Sequence, residues 1–331
     1  MKKRRPTILR TLAITIAAIV IVMALSIAAI KIYDLNARSQ DLEFASRFGL
    51  YHPVDVGGHK LNLVSYGNDG GHTIVCIAGL GIEDMCISYR PMTDSLAADN
   101  RIVFIDRAGY GLSDDSLSQM TCDRIVEEYR KALANEGIAG PYVLLAHSLG
   151  GVYATYWESH YPEDIEGVIF LDSTQIQETT FAEGKLVNDH TALEILLNKS
   201  GINRLGVPNA SHDYPDTASL EDEDLSNALS YMMVTESLWN YAMNSEYDLI
   251  NDNCRKTWEE ITVNDIPKAY ICATWASDTD QKYIDARENV LKPYLDKMGN
   301  CDLVLLPGIH LIYEQRPDDC AAVIKELLAK L

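Results

Sequence analysis

The chain has 331 residues and carries 48 Asp and Glu against 28 Lys and Arg, a formal net charge of -20. That excess argues against a nucleic-acid partner and against electrostatic attraction to anionic lipid. Its seven cysteines are scattered, form no C-x-x-C pair and have no His at metal-ligand spacing, so neither a metal nor a cofactor is expected.

The amino end sets the compartment. Lys2, Lys3, Arg4, Arg5 and Arg10 crowd residues 1–10, and 11–30 is then an uncharged, overwhelmingly apolar run closed by Lys31. A helix of about 20 residues spans roughly 30 Å, the thickness of a bilayer's hydrocarbon core. The positive cluster predicts that the tail 1–10 stays cytoplasmic and that the body of the chain lies outside. The competing reading is a cleaved signal peptide and a secreted protein. Such a peptide has an apolar part of about 7–15 residues followed by an Ala-x-Ala-like site. Here the nearest match, Ser26-Ile27-Ala28, lies inside the run. The expectation is therefore a single-pass membrane protein, with a transmembrane helix over 11–30 and a linker over 31–49.

From residue 50 onward strand-like and helix-like stretches alternate. Pro53 to Val56 and Leu61 to Tyr66 predict a hairpin around Gly57-Gly58. Apolar runs at 73–78, 101–105, 142–146 and 167–171 predict buried strands, separated by helical stretches near 83–98, 122–136 and 150–161. Strands follow at 268–273 and 302–306, with a helix over 282–298 between them and a last helix over 318–331. This alternation predicts an α/β class with a mostly parallel sheet covered on both faces. Residues 175–265, after the sixth strand, break the alternation and hold much of the acidity. They are read as a helical cap inserted into a core of 50–174 and 266–331. The Tyr231-Met232-Met233, Trp239 and Tyr241-Ala242-Met243 stretch within it predicts packing or an apolar pocket wall.

Chemistry gathers at strand ends. Tyr142-Val143-Leu144-Leu145-Ala146-His147-Ser148-Leu149-Gly150-Gly151 is an apolar run, a Ser between small residues, then a helix-compatible sequence. It predicts a strained strand-turn-helix elbow presenting the Ser148 hydroxyl as a nucleophile. Ile77-Ala78-Gly79-Leu80-Gly81-Ile82, directly after a strand, brings backbone N–H groups close to a substrate oxygen. The N–H groups of Leu80 and Leu149 are the candidate oxyanion donors. Leu306-Pro307-Gly308-Ile309-His310 ends the last strand on the same sheet edge, which makes His310 the candidate general base. His147, next to the serine, is expected to point away. For the carboxylate that orients the imidazole, Asp278 is set first, with Asp172 and Asp280 as alternatives; all three keep the order Ser…Asp…His.

These segments resemble the α/β-hydrolase superfamily. The elbow is the Ala variant of G-x-S-x-G. Asp106-Arg107-Ala108-Gly109-Tyr110-Gly111-Leu112-Ser113 is similar to the family's D-x-x-G-x-G-x-S segment, and His310…Glu314…Pro317 to its G-H…E-x-P ending, with Ile309 where Gly is usual. Ala78-Gly79 stands where His-Gly is common. The resemblance implies Ser148 as nucleophile, His310 as base, Leu80 and Leu149 as oxyanion hole, and a helical lid. Asp106 and Arg107 are read as structural braces beneath the site.

Relatives that open epoxides use Asp at the elbow, so Ser148 predicts acyl transfer. The expected function is a serine hydrolase cleaving a carboxylic ester through an acyl-enzyme. An acyltransferase, or an amidase or thioesterase, could use the same triad, and a binding module that kept the fold is the third reading. The expected substrate is a small-molecule or lipid-like acyl compound, the latter suggested by the anchor and the apolar cap.

Overall fold

In a computed structural model of the chain, the described residues are 5–176, 188–206, 214, 219–274 and 281–331. A single helix, α1, runs from Arg5 to Arg47. From Ile8 through Ala28 it is exposed along its length, and the helix is long and apolar enough to cross a membrane. The stretch expected as a linker is helical to Arg47. Ala37, Asp41, Phe44 and Ala45 on this half are buried against the body of the protein.

The core begins with the expected hairpin, β1 (Pro53–Asp55) and β2 (Lys60–Gly67), turning at Gly57 and Gly58 with φ of +98° and +115°. Then come β3 (Thr73–Ile77), the short α2 (Met85–Ser88) and α3 (Arg90–Ala97), β4 (Arg101–Ile105), α4 (Cys122–Asn135), β5 (Tyr142–His147), α5 (Gly150–His160) and β6 (Ile165–Leu171). The one helix expected near 83–98 is thus two, parted at Tyr89 with Pro91 in the first turn of the second, where a missing N–H costs nothing. Next are α6 (Ala192–Ser200), a 3₁₀ turn at Ile202–Gly206, α7 (Glu223–Glu236) and α8 (Tyr241–Glu260). The chain closes with β7 (Lys268–Ala273), α9 (Gln281–Met298), β8 (Cys301–Leu306), α10 (Ile312–Gln315) and α11 (Pro317–Leu328).

The eight strands form one sheet in the order β1-β2-β4-β3-β5-β6-β7-β8. β2 pairs antiparallel with β1 and β4, and the remaining ladders from β4 to β8 are parallel. All six residues of β5 are buried, because helices cover both faces of its centre. Val75, Ile77, Leu144 and Ala146 face a layer built with α4, α5 and part of α8. Ile74, Cys76, Val143 and Leu145 face the other layer, which includes α3, α7 and α11. All seven cysteines are free thiols.

The Met-rich stretch resolves toward packing. Met232, Met233 and Met243 are almost fully buried, with Met233 Sδ 3.7 Å from Cys86 Sγ, whereas Tyr231 and Tyr241 stay exposed. The helices between β6 and β7 meet α1 at a buried ionic seam. Arg204 pairs with Asp41 and Asp34 of α1 and with Glu236 of α7, and Arg38 of α1 reaches Glu236 as well. Lys31 donates to the carbonyl of Lys199 at 3.0 Å.

Candidate active site

The elbow is built as its sequence predicts. β5 ends at His147, α5 starts at Gly150, and Ser148 between them has φ of +50°, a left-handed conformation that few non-glycine residues adopt. Its N–H donates to Leu171 O at 3.3 Å, and its own carbonyl accepts from Gly151 and Thr174. The small neighbours have a steric reason. A Cβ on Gly150 would lie 2.5 Å from Ile77 O and 2.8 Å from Ala78 O, and one on Gly79 would lie 2.8 Å from Ser148 Cβ. Ala146, in place of glycine, belongs to β5 and is fully buried, and its carbonyl accepts the Ser173 hydroxyl at 2.7 Å.

His310 lies across from the serine. Ser148 Oγ is 2.9 Å from His310 Nε2, and His310 Nδ1 is 2.8 Å from Asp172 Oδ2. With a proton on Nδ1 donated to the carboxylate, Nε2 is left to accept the serine proton. Asp172 follows β6, neighbour of the serine's own strand, and turns out of the ladder with φ of +37°. Its other oxygen, Oδ1, accepts the N–H of Ala273 at 3.0 Å, so the buried carboxylate is held from two sides. The acid seat on His310 is therefore taken by Asp172, the second of the three aspartates weighed. Asp278 and Asp280 lie outside the described residues.

The Leu80 and Leu149 N–H groups stand on the two loops that meet at Ser148, and neither is taken by an acceptor among the described residues. Leu149 precedes α5, so the positive end of that helix adds to its N–H.

His147, expected to point away from the serine, packs against His310: its ring centroid lies 4.6 Å from that of His310, and its Nε2 donates to the His310 carbonyl at 3.0 Å. Burial, and then the nearby His310, push its pKa down to about 4, so the ring is neutral. The sequence signal for this was the His itself, directly before Ser148.

The loop after β4 explains its own glycines. Asp106 Oδ2 accepts from Asn62 Nδ2 at 3.0 Å and from the Leu112 N–H at 3.2 Å, and a Cβ on Gly111 would strike it at 2.3 Å. Burial pushes the Asp106 pKa up to about 6. Gly109 has φ of +82° and gives its carbonyl to Asn240 Nδ2 at 2.7 Å. Arg107 donates from Nη1 to Ala78 O at 2.5 Å and from Nη2 to Gly79 O at 2.9 Å, bracing the loop that carries Leu80.

The sequence profile described as "Alpha/beta hydrolase family" matches residues 74–323. A Bacillus subtilis (strain 168) protein described as "Uncharacterized protein YbdG" is 25% identical over 330 residues, covering 98% of both chains. Among solved structures, the epoxide hydrolase VrEH1 from Vigna radiata superposes with a TM-score of 0.59 at 18% identity, over 85% of this chain and 98% of its own. The enol-lactonase from Burkholderia xenovorans LB400 does so with a TM-score of 0.56 at 15% identity, over 84% of this chain and 100% of its own.

Proposed function

Because this chain belongs to the alpha/beta hydrolase family, a hydrolase acting on ester or related bonds of a small-molecule substrate, we propose that it is a serine hydrolase working through an acyl-enzyme. The observation that carries this reading is the unbroken hydrogen-bond chain from Ser148 Oγ through His310 to Asp172. An acidic nucleophile of the kind that opens epoxides is absent from the elbow, where the side chain is a hydroxyl.

The chemistry follows from the geometry. His310 Nε2 removes the Ser148 proton as Oγ attacks the acyl carbon. Negative charge developing on the acyl oxygen is met by the N–H groups of Leu80 and Leu149, which need no reorganisation at that moment. Asp172 stabilises the imidazolium through Nδ1 and fixes the tautomer that leaves Nε2 free to accept. His310 then protonates the leaving alcohol, and water activated by the same ring releases the acid. The neutral His147 holds the His310 carbonyl without placing a second positive charge beside the imidazolium.

A carboxylic ester is the substrate class this machinery fits, with a lipid-like acyl group favoured by the membrane-length apolar helix. α1 is proposed as an uncleaved single-pass anchor with its amino end cytoplasmic. Its second half supports this, because it is docked into the body through Phe44, Ala45 and the Arg204 ion pairs. The test is labelling with a fluorophosphonate probe followed by a panel of ester, thioester and amide substrates, with and without competing alcohol acceptors. Labelling is expected on wild type and lost in Ser148→Ala, with esters turned over fastest. A wild-type chain that never labels overturns the reading.

A further inference from the structure

Arg107 does more than fill space under the site. It is 2% exposed, and its two outer nitrogens donate to Ala78 O and Gly79 O. Its Nε faces Glu246 Oε1 of α8 at 3.1 Å, and Glu246 is 1% exposed. Two phenols close the cluster: Tyr110 Oη donates to Glu246 Oε2 and Tyr153 Oη to Glu246 Oε1, each at 2.5 Å. The guanidinium also sits over the Tyr110 ring, 4.1 Å from its centroid. Burial alone disfavours the cation, yet the adjacent Glu246 holds the Arg107 pKa well above its ordinary value, so the charge persists.

The position of that charge matters because of which peptide it touches. The Gly79 carbonyl and the Leu80 N–H are the two ends of one planar, resonance-coupled amide. A charge-assisted hydrogen bond to the oxygen draws electron density from the nitrogen and makes its N–H a stronger donor. Glu246 lies on the far side of the guanidinium, at Nε, so the pair forms a dipole whose positive end meets the carbonyls. A neutral Asn or Gln could hold the loop in place, but a buried ion pair is costly and needs a further reason.

We propose that Arg107, held charged by Glu246, is a positioning residue of the oxyanion hole that polarises the Gly79–Leu80 peptide and so strengthens the Leu80 N–H toward the developing oxyanion. This rests on the reading of Ser148 as nucleophile and Leu80 as oxyanion donor, and extends it to a pair 139 positions apart in the chain. Tyr153 lies on the helix that follows the serine, and the same cluster therefore ties both oxyanion loops to α8.

The test uses the full chain in detergent and a fluorophosphonate whose phosphoryl oxygen occupies the oxyanion hole. The double variant Arg107→Met with Glu246→Gln removes both charges together, so neither ion is left buried and alone. Deleting an oxyanion donor outright costs about 10²–10³-fold. Weakening one is expected to lower kinact by about tenfold to a hundredfold, with KI within about twofold. The ³¹P resonance of the Ser148 adduct is expected to move toward its position in the unfolded adduct, a signature that packing alone would not give. Should the double variant fail to fold, Arg107→Lys carries the test. One ammonium cannot grip two carbonyls as the planar fork does, so kinact falls several-fold and the resonance shifts in the same sense. A folded variant that keeps the wild-type kinact and resonance overturns the inference while leaving the nucleophile in place. A wild-type chain without labelling at Ser148 overturns both.

Discussion

Arg107 and Arg204 are both nearly buried, yet their surroundings differ. Arg107 directs two donors at backbone carbonyls of the loop after β3 and meets one carboxylate, Glu246. Arg204 meets three carboxylates: Asp34 and Asp41 from the docked half of α1 and Glu236 from α7. The first aims a charge at the peptides beside Ser148. The second neutralises the seam between α1 and the inserted helices and touches nothing in the site. Burial and charge alone do not tell a brace beside Ser148 from a clamp between helices; the partner atoms do.

The sharpest way to separate the two regions is to perturb one buried carboxylate at the sheet edge. Asp172→Asn keeps volume and burial but favours the wrong His310 tautomer. It is expected to lower kcat by about 10⁴-fold with little change in KM or in the denaturation midpoint. Steady-state kinetics and a urea melt check both. A thermal or urea destabilisation in place of the kinetic loss would break the distinction drawn here.

The seam should respond in the opposite way. Arg204→Met leaves Glu236 to Arg38 and Asp34 to Lys31 but takes the paired guanidinium from the buried Asp41, and breaking a buried pair costs about 3–5 kcal/mol. The denaturation midpoint of the full chain should drop accordingly, while the folded fraction keeps kcat within about threefold. Loss of kcat at full folding would show that the seam reaches the site.

Between these lies Gly150→Ala. The added Cβ would meet Ile77 O and Ala78 O at 2.5 and 2.8 Å, and overpacking of this kind costs about 1–3 kcal/mol. Because the displaced atoms lead into the oxyanion loop, kinetics and stability should fall together. A change in only one of them would argue against a shared steric cause.

The smallest effect is expected at His147. Its ordinary pKa of 6.5 is depressed to about 4 by burial, so between those values the unfolded chain binds a proton that the folded chain refuses. Wild type is therefore penalised as pH falls through that window and is free of the penalty above it. His147→Gln keeps a donor for the His310 carbonyl and has no such proton. Urea melts at pH 7 and pH 5 should show the stability difference shifting toward the variant at the lower pH. A difference that stays constant would mean the ring is not buried and neutral.

Much of this was legible in the chain because it is local. An apolar run, a Ser between small residues and a helix-compatible sequence describe a strand, a turn and a helix within ten positions, and β5, Ser148 and α5 are arranged so. The parallel sheet followed from strands alternating with helices, since such connections must cross over. His310 was found because it follows a Pro-Gly turn at the end of the last strand. The apolar run 11–30 was equally plain, but not its continuation. Nothing local distinguishes a linker from the helical stretch to Arg47, which Phe44, Ala45 and the Arg204 partners bury.

What the sequence by itself determined was therefore the fold class, the strand-turn-helix elbow at Ser148, the place of His310 just after the last strand and the apolar amino-terminal segment. Only the tertiary structure decided which carboxylate meets His310, because Asp172, Asp278 and Asp280 all satisfy the same chain order. β6 lies beside the serine's own strand, and the left-handed turn at Asp172 brings its carboxylate to Nδ1. Tertiary structure likewise decided that Glu246 balances Arg107 and that His147 turns toward His310. These pairings join residues 139 and 163 positions apart, and the energy of such contacts depends on distance in space, about which the order of residues carries no direct record.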